Sequence, residues 1–370
     1  MSRICFGIAV VIATFLLSEP SWSQSAKPNK TVALDRAELA LTPAALAFDG
    51  KGQLYVAYRD KGSNKQSSAI WIRVIDAAAG KELRSVQLQT APVALPNGAN
   101  QFKLSPDNSI LVYSQFHEGT FVVSLDSTTL KKISETTSLP EGIDQEFPKI
   151  VGIDRSGSAV LIAAERTNRN KGTDARLLKL SVRDLSRVLS DTTLTNPIPE
   201  SGFAVSAEGV VRIVKSNALY SYDSAKGTAS LQLSIHNQDD IRNVLFLDDG
   251  SLLFWSNQNE FGYLYRLDRG KTTADSQRIE KCGVKEIALS PDQLYGAALC
   301  EHQSLGELHF GSVTSRAAVI FDTRTLRVLG QVPFQKDLYP EFAIWHGNEK
   351  IVLATESDSN KLEIYELADH

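Results

Sequence analysis

The stretch KLSPDNSILVYSQFHEGTFVVSLDSTTLKKI, residues 103–133, sets the pattern that the rest of the chain repeats. An apolar run ends in Ser105-Pro106-Asp107-Asn108, where proline presets φ for a turn and Asp and Asn tolerate its special backbone angles. A second run follows at residues 109–115, with Ile110 and Val112 on one face and Leu111 and Tyr113 on the other. A polar break, His117-Glu118-Gly119, leads to a third strand over residues 120–125. Asp126-Ser127-Thr128-Thr129 then turns the chain again, and Leu130 opens a fourth strand. The unit is four short antiparallel strands joined by tight turns.

Outward from this stretch, the first turn recurs at Asp49-Gly50-Lys51-Gly52, Asp154-Arg155-Ser156-Gly157, Ser206-Ala207-Glu208-Gly209, Asp248-Asp249-Gly250, Ser290-Pro291-Asp292-Gln293 and His346-Gly347-Asn348-Glu349. With the unit at Ser105 that makes seven, spaced by about 41 to 56 residues, a range that fits propeller blades. A second turn recurs after Asp76, Asp126, Asp223, Asp268 and Asp322, while the third unit carries Val182-Arg183-Asp184 there. A fourth strand follows in six units, and the seventh lacks one. An open edge there would invite unwanted pairing, and TVALDRAELAL (residues 31–41) has no partner ahead of the first unit. The expected fold is therefore all-β: a seven-bladed β-propeller of four-stranded antiparallel blades, closed by residues 31–41 pairing with residues 361–367. Residues 1–23 are expected as a signal peptide, 24–30 as a linker and 31–370 as one propeller domain.

The signal reading rests on Arg3, the apolar run at residues 4–17, and small residues around Ser21-Trp22-Ser23. That run is short for a bilayer span, so the cleaved chain is expected in a secreted or periplasmic setting with no membrane span. Cys5 leaves with the signal, and Cys282 and Cys300 remain. A hairpin centred on Asp292 would bring them together as a disulfide, worth about 3 kcal/mol by constraint of the unfolded chain. The 370 residues carry a formal net charge of −4, with both signs scattered. That leaves no basic footprint for nucleic acid.

Leu104-Ser105-Pro106-Asp107 and Leu289-Ser290-Pro291-Asp292, together with Asp-x-x-Thr-Leu-(Lys/Arg) at residues 126–131 and 322–327, resemble bacterial propeller repeats of the YVTN type. These are related to WD40-like, lactonase-like and quinoprotein amine dehydrogenase-like propellers. The Trp-Asp and Gly-His dipeptides of true WD40 repeats are missing. The resemblance implies one of three roles: a binding scaffold, a lactone hydrolase, or a subunit of a periplasmic dehydrogenase.

In a propeller, the loops joining second to third strands share a face with the loops between blades. Three of the former read as long here, residues 60–69, 165–174 and 301–316. Candidate ligand-binding residues at matching points are Arg59, His117, Glu165, Arg166, Glu301, His302 and Glu356, with Glu118, Asn257 and Asp358 beside them. Glu146, Arg242, Glu286 and Glu341, between blades, are candidates for the channel mouth. No metal signature, nucleophile motif or phosphate loop appears, so no metal, cofactor or catalytic residue is assigned. Aromatic residues such as Tyr55, Tyr58, Trp71, Tyr113, Phe254, Trp255 and Trp345 are expected to pack between blades. The expected function is a monomeric exported scaffold binding a protein or a small ligand on its loop-rich face, without chemistry of its own. The alternative is a hydrolase in which Arg holds a substrate anion and His or Glu activates water.

Overall fold

The turn at Ser105 closes as its residues require. The Asn108 N–H donates to Ser105 O at 2.8 Å, and Asn108 takes a left-handed φ of 59°. The Ser105 hydroxyl donates to Asp107 Oδ1 at 2.6 Å and accepts from the Ile110 N–H at 2.9 Å. The same closing bond, given by a residue of positive φ, joins Gly52 to Asp49, Gly157 to Asp154, Gly209 to Ser206, Gly250 to Leu247 and Gln293 to Ser290. The seventh unit differs from the four-residue turn expected there. Gly347 pairs directly with Lys350, so Asn348 and Glu349, both at positive φ, form a two-residue hairpin turn.

The second turn has its own mechanism. Asp126 Oδ1 accepts from the Thr129 N–H at 2.7 Å, and Asp322 Oδ1 from the Thr325 N–H at 2.8 Å. Leu130 and Leu326 then adopt positive φ, rare for a bulky side chain, and bury themselves in the core. Burying a leucine is worth about 1.5–3 kcal/mol, which offsets the roughly 1–2 kcal/mol cost of the left-handed backbone.

The computed structural model describes residues 27–33, 45–59, 70–88, 99–116, 120–140, 148–168, 172–194, 202–206, 208–223, 226–235, 240–258, 261–304, 312–334, 340–358 and 361–368. The expected signal segment lies outside them. Strand β1 is Lys30–Ala33. Blade 1 contains β2 (Ala45–Phe48), β3 (Gln53–Arg59), β4 (Ile70–Asp76) and β5 (Lys81–Leu88). Blade 2 contains β6 (Ala99–Leu104), β7 (Ile110–Phe116), β8 (Thr120–Asp126) and β9 (Lys132–Thr136). Blade 3 contains β10 (Lys149–Ile153), β11 (Ala159–Asn168), β12 (Gly172–Ser181) and β13 (Asp184–Leu194). Blade 4 contains β14 (Gly202–Val205), β15 (Val211–Lys215), β16 (Ala218–Asp223) and β17 (Thr228–Ser234). Blade 5 contains β18 (Ile241–Phe246), β19 (Leu252–Gln258), β20 (Phe261–Leu267) and β21 (Asp275–Ile279). Blade 6 contains β22 (Gly283–Leu289), β23 (Tyr295–Ser304), β24 (Ser312–Asp322) and β25 (Val328–Phe334). Blade 7 contains β26 (Phe342–Gly347), β27 (Lys350–Asp358) and β28 (Lys361–Ala368).

Each blade is an antiparallel sheet in chain order, except that β1 supplies the outer strand of blade 7 in the order β1-β28-β27-β26. Lys30 pairs with Ile364 and Ala33 with Lys361, so the closing ladder is short. It starts within the segment expected as linker, since the Asn29 N–H already donates to Ile364 O. Residues 34–44 lie outside the described set. Among the described residues there is no helix, and hence none long and apolar enough to cross a membrane.

The core lies between blades rather than within them. Leu111 and Tyr113 pack towards blade 1 and Val112 towards blade 3, the two faces that the alternation in β7 prescribes. Seven such clusters, one at each seam, complete the ring. Tyr55, Tyr113, Phe254 and Trp255 are buried in these layers, and Trp71 and Trp345 pack against the one between blades 7 and 1.

A polar clamp recurs at several seams. The carbonyl of the residue that begins the second turn accepts a bond from the preceding blade. Ser127 O accepts from Arg84 Nη2 at 3.1 Å and from the Tyr55 hydroxyl at 3.2 Å. Val182 O accepts from the Ser124 hydroxyl at 2.7 Å, and Thr323 O from Arg266 Nη1 at 3.0 Å. Val182 thus fills the place of Ser127 and Thr323 although its sequence departs from theirs. All three donate their N–H to the strand that leaves the first turn: Ser127 to Ser109 O, Val182 to Ser158 O and Thr323 to Leu294 O.

Candidate functional site: the hairpin face and channel mouth

The face carrying the hairpins between second and third strands is uneven. In blade 3 the ladder runs out to Asn168 opposite Gly172, and in blade 6 to Ser304 opposite Ser312. Residues 165–174 and 301–316, read from sequence as loops, are therefore largely paired ribbon. Apolar alternation gives way there to polar residues, Glu165-Arg166-Thr167-Asn168 and Glu301-His302-Gln303-Ser304, while backbone pairing continues. In blade 4 the same hairpin is only Ser216-Asn217. Residues 60–69, the third expected loop, lie outside the described residues.

All six candidates in strands fall at the outgoing ends of second strands. Arg59 pairs with Ile70, Glu165 with Ala175, Arg166 with Asp174, Glu301 with Arg316 and His302 with Ser315. Glu356, near the end of β27, pairs with Leu362 in the same way. The side chains of Arg59, Glu165, Arg166 and Glu356, and the whole of His117, lie outside the described residues.

Glu301 is enclosed and ion-paired. Only 6% of its side chain is exposed, and each carboxylate oxygen has its own cation. Arg316 Nε donates to Oε1 at 2.8 Å, and Lys285 Nζ approaches Oε2 at 3.2 Å. Burial alone would push this carboxyl up. The hydrogen bonds from Arg316 and Lys285 outweigh it and hold Glu301 below the usual carboxylate range. Such a carboxylate is a poor general base and a good anchor. Neighbouring His302 is half-buried.

Lys285 reaches Glu301 because it is the extra residue of a β-bulge. Val284 pairs with Cys300 and Glu286 with Leu299, leaving Lys285 unpaired. Blade 5 fixes that bulge through the Asn257 side chain. Its Oδ1 accepts from the Val284 N–H at 2.7 Å, and its Nδ2 donates to Val284 O at 3.0 Å. The device repeats: β10 bulges at Val151 and β18 at Arg242. In each, the N–H just before the bulge bonds back to the preceding blade, Ile150 to Gln101 Oε1 and Ile241 to Ser216 O. Asn257 was singled out in the sequence only as a polar loop residue. A side-chain amide whose partner is 27 residues away leaves no local signal, and the same holds for Gln101.

The bulges set Arg242 and Lys285 at equivalent points on neighbouring innermost strands. Glu286 follows on β22. Its side chain is exposed to solvent on the innermost strand, with protein gathered closely round it. Enclosure raises its pKa, and the Lys103 ammonium, on the innermost strand of blade 2, draws it part of the way back. Among the described residues no three His, Cys, Asp or Glu side chains gather as a metal site.

Cys282 and Cys300 lie at this end of blade 6 at disulfide distance, with Sγ–Sγ 2.00 Å and Cα–Cα 4.8 Å. Cys282 stands just ahead of β22, diagonal to Cys300 rather than opposite it, since Cys300 faces Val284. Blade 5 accommodates the pair at Gly262, where an added Cβ would come within 2.9 Å of Cys282 O and 2.7 Å of Val284.

No family model matches the chain, and no curated protein matches it. Solved structures do resemble it. A chain of the Mitotic Checkpoint Complex aligns over 100% of this chain and 99% of its own, with a TM-score of 0.56 and 12% identity. The β-propeller domain of Cps50 (Swd1) from Myceliophteria thermophila aligns over 92% of this chain and 100% of its own, with a TM-score of 0.57 and 12% identity. Raptor from Chaetomium thermophilum gives a TM-score of 0.61 at 10% identity, over 94% of this chain and 29% of Raptor. At these identities the likeness carries the fold: a seven-bladed propeller with WD40 propellers among its structural neighbours.

Proposed function

We propose that this propeller, of the bacterial YVTN kind, is an exported scaffold whose hairpin face binds a protein partner. One observation carries the reading: Glu301, the candidate ligand-binding carboxylate whose side chain is described, is tied to Arg316 and Lys285. What this face offers a ligand is therefore shape and fixed charge. Bulges latched by the neighbouring blade hold Arg242 and Lys285, the blade 6 ribbon sets Glu301 against Lys285, and blade 3 carries a second ribbon on the same face. Pre-organised side chains on rigid strands reduce the ordering cost of association. One solved neighbour is itself a member of an assembly, the Mitotic Checkpoint Complex, and the cysteine pair suits an oxidising compartment.

The test is a pull-down from the extracytoplasmic fraction of the source organism, using the wild-type chain and a R242E/K285E variant, with a lactone-hydrolysis screen alongside. A partner retained by the wild type and lost by the variant is expected. Lactone turnover that vanishes in Glu301→Gln would overturn the scaffold reading in favour of a hydrolase.

A further inference from the structure

A second site lies on the opposite side of the ring from the hairpin face, at the seam between blades 3 and 4. The two sheets part there over a groove of about 340 Å³ floored by Leu161, Leu177, Leu194, Val205 and Val211. Its rim is polar. Lys179 Nζ meets Asp154 Oδ2 at 3.2 Å, and Arg155 Nη1 meets Glu208 Oε1 at 3.4 Å from one blade to the next. The hydroxyl residues Ser190 and Thr192, on outer strand β13, complete the wall.

Apolar surface continues beyond the groove. Val210 is 41% exposed and sits between two wall residues, Gly209 and Val211. Leu189 is 43% exposed and is the bulged residue of β13, next to Ser190. Leu231 is 60% exposed on β17; it pairs with Tyr220, which packs on the blade 3 side, so Leu231 faces the same seam. Three of the six large apolar residues most exposed among the described residues thus flank one groove.

We infer that this seam is a docking site for an extended, aliphatic and uncharged segment of a partner protein. The floor carries branched aliphatic side chains, which suits Leu, Ile or Val. The rim charges cancel in pairs, Lys179 with Asp154 and Arg155 with Glu208, so neither sign is left over for the head group of a fatty acid or a phosphate ester. The remaining hydroxyls of Ser190 and Thr192 can both donate and accept, as a peptide backbone demands. Leu189, Val210 and Leu231 add exposed apolar surface beside the groove, so its occupant is larger than a small molecule filling the groove alone. An extended chain presenting alternate side chains to such a surface meets all of these conditions.

The inference is independent of the hairpin face, and so is its test. A phage library of random dodecapeptides is selected on the full wild-type chain. The enriched peptides are then synthesised and titrated against wild type, Val210→Lys, Leu231→Lys and Leu83→Lys. Leu83, 46% exposed on β5 of blade 1, is the matched control away from the seam. The expected peptides carry aliphatic residues at alternate positions, lose at least tenfold in affinity on Val210→Lys and Leu231→Lys, and keep it on Leu83→Lys. Equal affinity for all four proteins, or no enrichment, overturns the inference. So does saturable binding of dodecanoate, sensitive to Val210→Lys, in the absence of any enriched peptide. All three substitutions are at exposed positions, so circular dichroism of each variant separates lost binding from lost folding.

Discussion

The seam between blades 5 and 6 and the seam between blades 3 and 4 are built from the same repeat and have opposite character. At the first, Arg266 is almost fully enclosed, spans Asp249 and Asp268 of its own blade, and donates to Thr323 O of the next. Asn257 holds Val284, and the first turns of the two blades exchange two hydrogen bonds: the Asp248 N–H to Gln293 Oε1 at 2.7 Å and Gln293 Nε2 to Asp248 Oδ1 at 3.0 Å. At the second, among the described residues, the equivalent turns meet through Arg155 and Glu208, with side chains 80% and 57% exposed. The Tyr222 hydroxyl reaches Thr193 O at 3.4 Å. The buried apolar layer there is also slighter among the described residues. The contrast shows that a propeller need not seal every seam equally. A ring held firmly at one seam can leave another open for a ligand.

The largest way to break the contrast is at the cysteines. Replacing Cys282 and Cys300 by Ser is expected to cost about 3 kcal/mol, lowering the midpoint of urea unfolding with little change elsewhere. An unchanged midpoint would mean the pair adds nothing to the firm seam. Next comes Arg266→Met, expected to cost about 2 kcal/mol, because Asp249 and Asp268 are partly exposed and can rehydrate when the cation leaves. Hydrogen exchange should then rise at β20 and β22 before it rises at β11. Asn257→Ala should cost about 1 kcal/mol by leaving the N–H and C=O of Val284 without partners, and faster exchange at the Val284 amide would report it.

A smaller effect appears in acid. Lys271 and Arg266 hold the Asp268 carboxyl down at about 2, against 3.8 when free. Its folded pKa lies below the unfolded value, so its stabilisation is complete above about pH 4 and is lost as pH falls towards 2. Asp268 is a third exposed, so solvent screening keeps this below about 1 kcal/mol. Stability followed from pH 5 to pH 2 should fall less steeply in Arg266→Met; parallel slopes would remove Arg266 from the account. Last, Arg155→Ala at the open seam should change stability by no more than about 0.5 kcal/mol. A larger loss would make that exposed pair a true clamp and erase the distinction drawn above.

What the sequence disclosed follows the range of the interactions. The blades were legible because Ser-Pro-Asp-Asn at residue 105 and Asp-x-x-Thr-Leu at residues 126 and 322 close bonds within four residues of themselves. The pairing of Cys282 with Cys300 was legible because one hairpin lies between them. The Asn257 and Gln101 latches were not, since each meets backbone that arrives only when the next blade docks. Neither were the ribbons of blades 3 and 6, whose polar residues lack the apolar alternation that marks a strand in sequence while their backbones stay paired. The groove was hidden for a related reason: Leu161 and Val211 read as ordinary core positions in their own strands, and only the spacing of two sheets makes a cavity of them.

The clamp between blades has an acceptor that no mutation of a side chain can delete, since it is a main-chain oxygen at Ser127, Val182 and Thr323. The donors, by contrast, are unrelated: an arginine with a tyrosine, a serine, and another arginine. A blade duplicated or grafted into the ring would bring a usable acceptor whatever its residues, and only the donor of the blade before it would need refitting. Such one-sided chemistry suits a circle assembled from copies that have drifted far apart.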